Sequence, residues 1–571
     1  MKYLFVNRNF IRQVSMALLC MLVVVGCKKE AEPFEEVFMV GSDYVEATSA
    51  GGTYTFDLLT NLDYEVSTDV DWITLAEEAG TKGKKKIAFT VPKNEDEERS
   101  GVVTVRVNDE LARDILVIQE AGTVSVFYVK SGASGNGRSW ATATDLQTAL
   151  NQATSGSEIH IAAGTYVPTK PLTGAGSSDE ADRTFEISKN IKIVGGYPAD
   201  ANEGAVSDPD ANPTIFSGKL SSGIGVFHVV AVTAPKETDQ QVEIEGITIR
   251  DGDGTDIDVD IMVNGVAYSR GNGAGMIIGG AKTILRKVTV TENKTSKRQG
   301  VKSGVATGIF AQVGAELYMY DSHVDNNTGS GNGGGLYVDK SNAYVFNSTF
   351  NNNTTVGTAP AVHGYPDANI YMYNCSISGN KGTSFGAAFY VRERSKGYLV
   401  NCVIDNNEST GTHGGGGVML YNNSEVHVIS STITGNDIAG PGGGIFRQLG
   451  TNKVTIINSI VSGNTQKAGS SDVDVYESGA IPEQIRNSII GSEVYNAGGS
   501  KVTGETFNAT TMLNSNFLPI GVDNPALTYG MTGAELIGLA QQYTPALDAL
   551  IAKDRNQKDR GAKTTIGALV E

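Results

Sequence analysis

The sequence predicts an all-β protein: a small β-sandwich followed by a long coil of parallel strands. Three observations carry this. Residues 37–122 hold short runs of period-two alternation with turn residues between them. From Asn293 to Asn464 a unit recurs whose asparagines lie 34, 26, 27, 27, 29 and 28 residues apart, with no recurring helical pattern. Glycine is abundant at 69 residues and proline scarce at 15. Glycine without proline and without a three-residue period fits tight turns between short strands, not collagen.

The N-terminus comes first. Lys2, Arg8 and Arg12 precede an apolar run, Met16 to Val25, that is too short to span a bilayer. VVGC at 24–27 follows and resembles a bacterial lipobox, which implies a signal peptide over 1–27 and a lipid on Cys27. Residues 28–36, KKEAEPFEE, form a tether. It is similar to the acidic leaders of Bacteroidetes-type lipoproteins, although Lys28 and Lys29 come first. The resemblance implies an outer-membrane anchor facing the cell exterior. The net charge of −18 argues against a nucleic-acid partner, which needs basic stripes. A monomer is expected.

In the sandwich segment, TYTFDLL, DYEVST, KKIAFTV, GVVTVRV and DILVIQ read as strands. Trp72 is the expected core anchor, because a large aromatic dominates a small core. GGTYTF, the turn at Asn61, DWIT, KNEDEERSG and IQEAG, in that order, resemble the BACON domain of Bacteroidetes surface proteins. That implies an immunoglobulin-like sandwich over 37–122, serving as a spacer or as a glycan binder.

The coil is expected over 124–520, with a closing segment at 521–571. Leu146, Ala149, Leu150 and Ala153 share one face of a short helix suited to capping its open end. Stacked rungs lie about 4.8 Å apart, so each residue sits over its equivalent in the turn before. Val345, Met372, Leu399, Val428 and Ile456 then form one inward column; Phe350, Ile377, Ile404, Ile433 and Val461 form another. Between them run Ser348, Cys375, Cys402, Ser431 and Ser459. The two cysteines stack as thiols or form a disulfide, for which parallel Cβ vectors are awkward. The asparagines tolerate left-handed backbone and bond along the axis, a structural role. GTY, GGY, the asparagine-ended rungs and the ending TPALDALIAKDRNQKDRGAKTTIGALVE resemble right-handed parallel β-helix proteins of the pectate-lyase-like class.

Chemistry is sought on the glycine-rich strands. Alternation turns Ile277, Phe310, Tyr337, His363, Tyr390, Met419 and Phe446 outward, with Gln312, Asp339, Tyr365, Arg392, Tyr421 and Gln448 two residues on. A solvent-facing strip of this kind suits an extracellular polysaccharide or host glycan. Phe310, Tyr337, His363, Tyr365, Tyr390, Arg392, Tyr421 and Phe446 are the expected glycan contacts. Covering loops would instead make the column structural. A polysaccharide lyase or glycosidase at the same strip is the second reading, with Arg392, Asp339 and His363 as catalytic candidates. A stalk or adhesin is the third. No cofactor is required. Calcium is possible at Asp251, Asp253, Asp256, Asp258 and Asp260, whose close spacing suits oxygen ligation but not an EF-hand.

Overall fold

The computed structural model describes residues 37–94, 98–120, 126–176, 179–234, 241–255, 260–296, 304–385, 388–466, 474–477, 484–521, 523–536, 553–556, 558–560 and 565–569. Cys27, the signal segment, the tether, Asp256 and Asp258 lie outside them. The chain divides into two compact units between Thr123 and Val124.

The first unit is a sandwich of a four-stranded and a five-stranded sheet. In the first sheet Gly52–Thr60 pairs antiparallel with Gly83–Val91. In the second, Arg99–Arg106 pairs antiparallel with Ala112–Gln119. Tyr44–Ala47 joins the second sheet parallel to Leu116–Gln119. Phe56, Leu58, Ile87, Phe89, Val103, Val105, Ile115 and Val117 fill the core. Trp72 is not its centre. It packs half-buried at the margin with the Arg99 guanidinium 4.4 Å from its ring.

The second unit is a parallel β-helix. Among the described residues, three sheets of twelve, twelve and ten strands run along it, and a fourth of eight short strands follows the second in the eight rungs from Asp253 to Gln466. A rung is seen at Leu336–Asp339 (third sheet), Asn342–Phe346 (first), Thr349–Asn351 (second) and Thr354–Thr355 (fourth). The helix Leu146–Gln152 caps one end, its first turn closed by Asp145, which accepts from the Thr148 amide. The inward columns read from the sequence are buried. Cys375 and Cys402 are buried free thiols in a slot otherwise held by serines. There the backbone N–H groups of Ser322, Cys402, Ser431 and Ser459 donate to the serine hydroxyl one rung on, as in Ser431 N to Ser459 Oγ at 3.0 Å.

The bends are turned by left-handed residues at equivalent positions. Between first and second sheets, Gly246, Lys287, Asp321, Asn347, Asn374, Asn401, Ser430, Asn458 and Asn487 have φ from 47° to 67°. Side chains that bond locally or are absent tolerate this region best, which explains the recurrent asparagine. After the second sheet the left-handed residue is Glu292, Asn326, Asn352 or Asn406, one position before the ladder asparagine. The ladder asparagines therefore supply axial bonds while their predecessors make the turn.

Those bonds form a continuous chain. Asn293, Asn327, Asn353, Asn380, Asn407, Asn436 and Asn464 are buried, and each Nδ2 donates to the next Oδ1 at 2.8–3.1 Å. The same oxygens accept the preceding rung's backbone N–H, as in Asn380 N to Asn407 Oδ1 at 3.0 Å. Asp474 ends the row, accepting from Asn464 Nδ2 at 2.6 Å. Replacing Asn407 by alanine strips the acceptor from two buried donors of Asn380. The expected loss is about 3 kcal/mol, read as a lower urea midpoint with unchanged circular dichroism.

Candidate functional site

The predicted aromatic strip points out of the coil as expected, but it does not face solvent. Ile277, Phe310, Tyr337, His363, Tyr390, Met419 and Phe446 are all 6 % exposed or less. Among the described residues, the loop entering six of the third-sheet strands folds back over the outward side chain four positions later. Its covering residue, Gly273, Ala306, Gly333, Ala359, Gly415 or Gly442, has φ between 51° and 81°. A Cβ on Gly333 would lie 2.8 Å from the Tyr337 ring, and one on Gly415 would lie 2.7 Å from Met419 Cβ. The glycine-rich entries thus serve close packing over the strip. The long segment before Gly275 adds a hairpin, Ile261–Val263 with Val266–Tyr268, that packs on Ile277, Phe310 and Tyr337. It is the overhanging lobe that its length suggests.

Of the expected glycan contacts, Phe310, Tyr337, His363, Tyr390 and Phe446 are therefore core residues of this covered layer. His363 stacks on Tyr390 at 4.9 Å, has no solvent exposure, and burial pushes its pKa down to about 3. It cannot exchange protons with a surface substrate. Tyr365, Arg392 and Tyr421 remain half-buried at the strand ends. The Arg392 guanidinium lies 4.2 Å from the Tyr365 ring and 5.6 Å from that of Tyr421. Asp339 sits two rungs from Arg392, roughly 10 Å at the strand spacing, too far to act as its ion-pair partner. Burial raises the Asp339 carboxyl above its usual range.

In the acidic run, Asp251 accepts from Ser217 and Arg250, and Asp253 pairs with Lys294 and Ser296. Asp260 is exposed. Among the described residues no group of three or more His, Cys, Asp or Glu side chains is placed to hold a metal ion.

The aromatic row that does reach solvent lies on the first sheet. Tyr318, Tyr344, Tyr371 and Tyr398 occupy equivalent positions on successive rungs, followed by buried His427. The tyrosines are half-buried, with centroids 4.7, 4.9 and 4.5 Å apart and planes within 13°. A parallel stack, Tyr320, Phe346 and Tyr373, runs beside it. Met531 and Leu536 from the closing segment pack on Tyr373. Because the rings stack face to face, solvent meets their edges and hydroxyls. The hydroxyls of Tyr344, Tyr371 and Tyr398 make no hydrogen bond among the described residues. Burial raises all four tyrosine pKa values, to about 12 for Tyr318 and Tyr398, so the row stays protonated at neutral pH. ELYMY, NAYVF, NIYMY and KGYLV carried the signal: the alternation that turns Val345, Met372 and Leu399 inward turns their preceding tyrosines outward.

Comparison with known proteins supports the architecture. Residues 320–507 match a family model described as "Right handed beta helix region". Residues 62–120 match the BACON model, described as "Putative binding domain, N-terminal". The protein thus joins a BACON-like sandwich to a right-handed parallel β-helix. Among solved structures, the pectate lyase Pel9A is similar at 15 % identity and a TM-score of 0.37, covering 64 % of this chain and 80 % of that one. A Bacteroides ovatus GH5 xyloglucanase, solved with a XXXG heptasaccharide, is similar at 13 % identity and a TM-score of 0.16, covering 49 % and 72 %. No curated protein matches the chain.

His363 generates a pH prediction. Its folded pKa lies below the unfolded value, so the unfolded chain binds more protons between about pH 6.5 and 3. The stability it contributes is present above pH 6.5 and lost as pH falls toward 3. His228, also buried and lowered to about 4, adds to the same slope. The melting temperature of His363→Phe is expected to fall less than that of the parent between pH 6.5 and 4.

Proposed function

We propose that the protein binds an extended extracellular glycan along the first-sheet tyrosine row. The observation that carries this reading is periodicity: one half-exposed phenol per rung, three of them with hydroxyls that make no hydrogen bond among the described residues. A polymer lying along the axis meets the same donor and acceptor at every step, so contacts add along its length. Recognition is by ring edge and hydroxyl, since the ring faces are taken by neighbours. The half-exposed Tyr365, Arg392 and Tyr421 flank the row across the bend and offer further polar contacts. The BACON match, to a family described as a binding domain, supports a binding role for the chain.

The test separates hydroxyls from stacking. Replacing Tyr344, Tyr371 and Tyr398 together by phenylalanine keeps the stack and removes the hydroxyls. Affinity for whichever polysaccharide retards the protein in affinity electrophoresis is expected to fall at least about tenfold, with thermal stability within about 1 kcal/mol of the parent. Unchanged retardation refutes the row as the binding surface. Unsaturated-product absorbance or shortened chains in the same incubations would identify a polysaccharide lyase or glycosidase instead.

The protein is also proposed to be held at the outer membrane, facing outward, through a lipid on Cys27, on the strength of the apolar run and VVGC. Cys27→Ala is expected to move it from the membrane to the soluble fraction and to abolish labelling by a radioactive fatty acid.

A further inference from the structure

A separate groove of about 280 Å³ lies on the second sheet, away from the tyrosine row. Thr248 and Thr289 form its floor, Pro209, Asp210 and Pro213 one wall, and Lys287, Asp321 and His323 the other end. The wall closes on the coil because Gly246 carries no side chain. A Cβ there would meet Pro209 Cγ at 2.6 Å, and its φ is +67°.

His323 is oriented by a relay. Its Nδ1 lies 2.8 Å from Thr349 Oγ1, and that hydroxyl lies 3.2 Å from both Asp325 oxygens. Asp325 also accepts the Asn351 amide at 2.7 Å. The single threonine proton goes to the carboxylate, so the threonine oxygen accepts from Nδ1–H. Nε2 is then left as an acceptor. Of the other polar groups lining the groove, Thr214 is spent within the fold, accepting the Gly196 amide at 2.9 Å. The Thr248 and Thr289 hydroxyls make no hydrogen bond, and the Lys287 ammonium and Asp210 carboxylate no ion pair, among the described residues. Asp321 accepts only from Asn347, at 3.1 Å.

We propose that this groove is a seat for one neutral sugar ring. The two proline faces suit the C–H face of a pyranose. An ammonium, two hydroxyls, two carboxylates and an imidazole acceptor together match the alternating donor and acceptor demand of a polyol. Asp210 and Asp321 disfavour a sugar acid. The volume is at the small end for ligand sites, enough for a single ring rather than a chain. The proposal is independent of the tyrosine row, which lies on another sheet.

The test is saturation-transfer NMR on the full chain with the methyl glycosides of glucose, galactose, mannose, fucose and N-acetylglucosamine, and with D-galacturonate. At least one neutral glycoside is expected to receive saturation and to shift the His323 imidazole signal. His323→Ala and, separately, the shape-preserving Thr289→Val should each weaken it about tenfold. The Tyr344, Tyr371 and Tyr398 phenylalanine variant should leave it unchanged. No transfer to any neutral glycoside, equal transfer in both groove variants, or tighter binding of galacturonate would each overturn the proposal.

Discussion

Axial hydrogen bonding between equivalent positions is the constraint on which the coil depends. A polar side chain in the interior of a stacked rung finds its partners in its own rung and in the rungs on either side. The asparagine row meets this condition by bonding amide to amide and to backbone, the serine slot by backbone bonds alone, each hydroxyl accepting an N–H from the preceding rung and donating to a carbonyl. A partly satisfied row would leave buried donors whose loss exceeds the gain of any one bond. Register follows, and so does rung length, because the row holds only if each bend returns the chain to the same place.

How much of this could be read from sequence divides along physical lines. The repeat, the inward columns, the capping helix and the overhanging lobe were legible, because strand alternation and a fixed axial spacing determine them. Alternation also gives the direction of Tyr337 or Phe446 correctly. It says nothing about what lies over them. The cover comes from left-handed residues such as Gly333 and Gly442, whose closeness to the ring depends on backbone curvature rather than on pattern. His323 was missed for a related reason: the wall that makes a groove of its surroundings is built from residues 209–213, a loop outside the repeat.

The covered layer and the open row show what stacking does to surface chemistry. On the third sheet, aromatic rings packed under loops extend the core sideways and thicken the coil. On the first sheet, the same residue type at the same spacing keeps its hydroxyls accessible while each ring face is filled by a neighbour. Parallel in-register strands therefore convert an aromatic column from a set of platforms into a comb of polar teeth. Specificity on such a surface comes from spacing and hydrogen-bond sense rather than from flat contact.

The asparagine row has one more consequence. Its amides all point the same way, so their dipoles add along the axis as peptide dipoles do in a helix. The donor end is met by a carboxylate, Asp474, and the acceptor end, at Asn293, by the Gly252 backbone amide at 2.9 Å. The carboxylate is a change of chemistry at the donor end, whereas the Gly252 amide repeats the backbone bond that the later rungs also make. The middle of the row is chemically uniform, each link identical to the next. The row itself sets no limit on rung number; the closing segment does, because it bonds Asn401 and Asn458 at once and so measures the rungs between them.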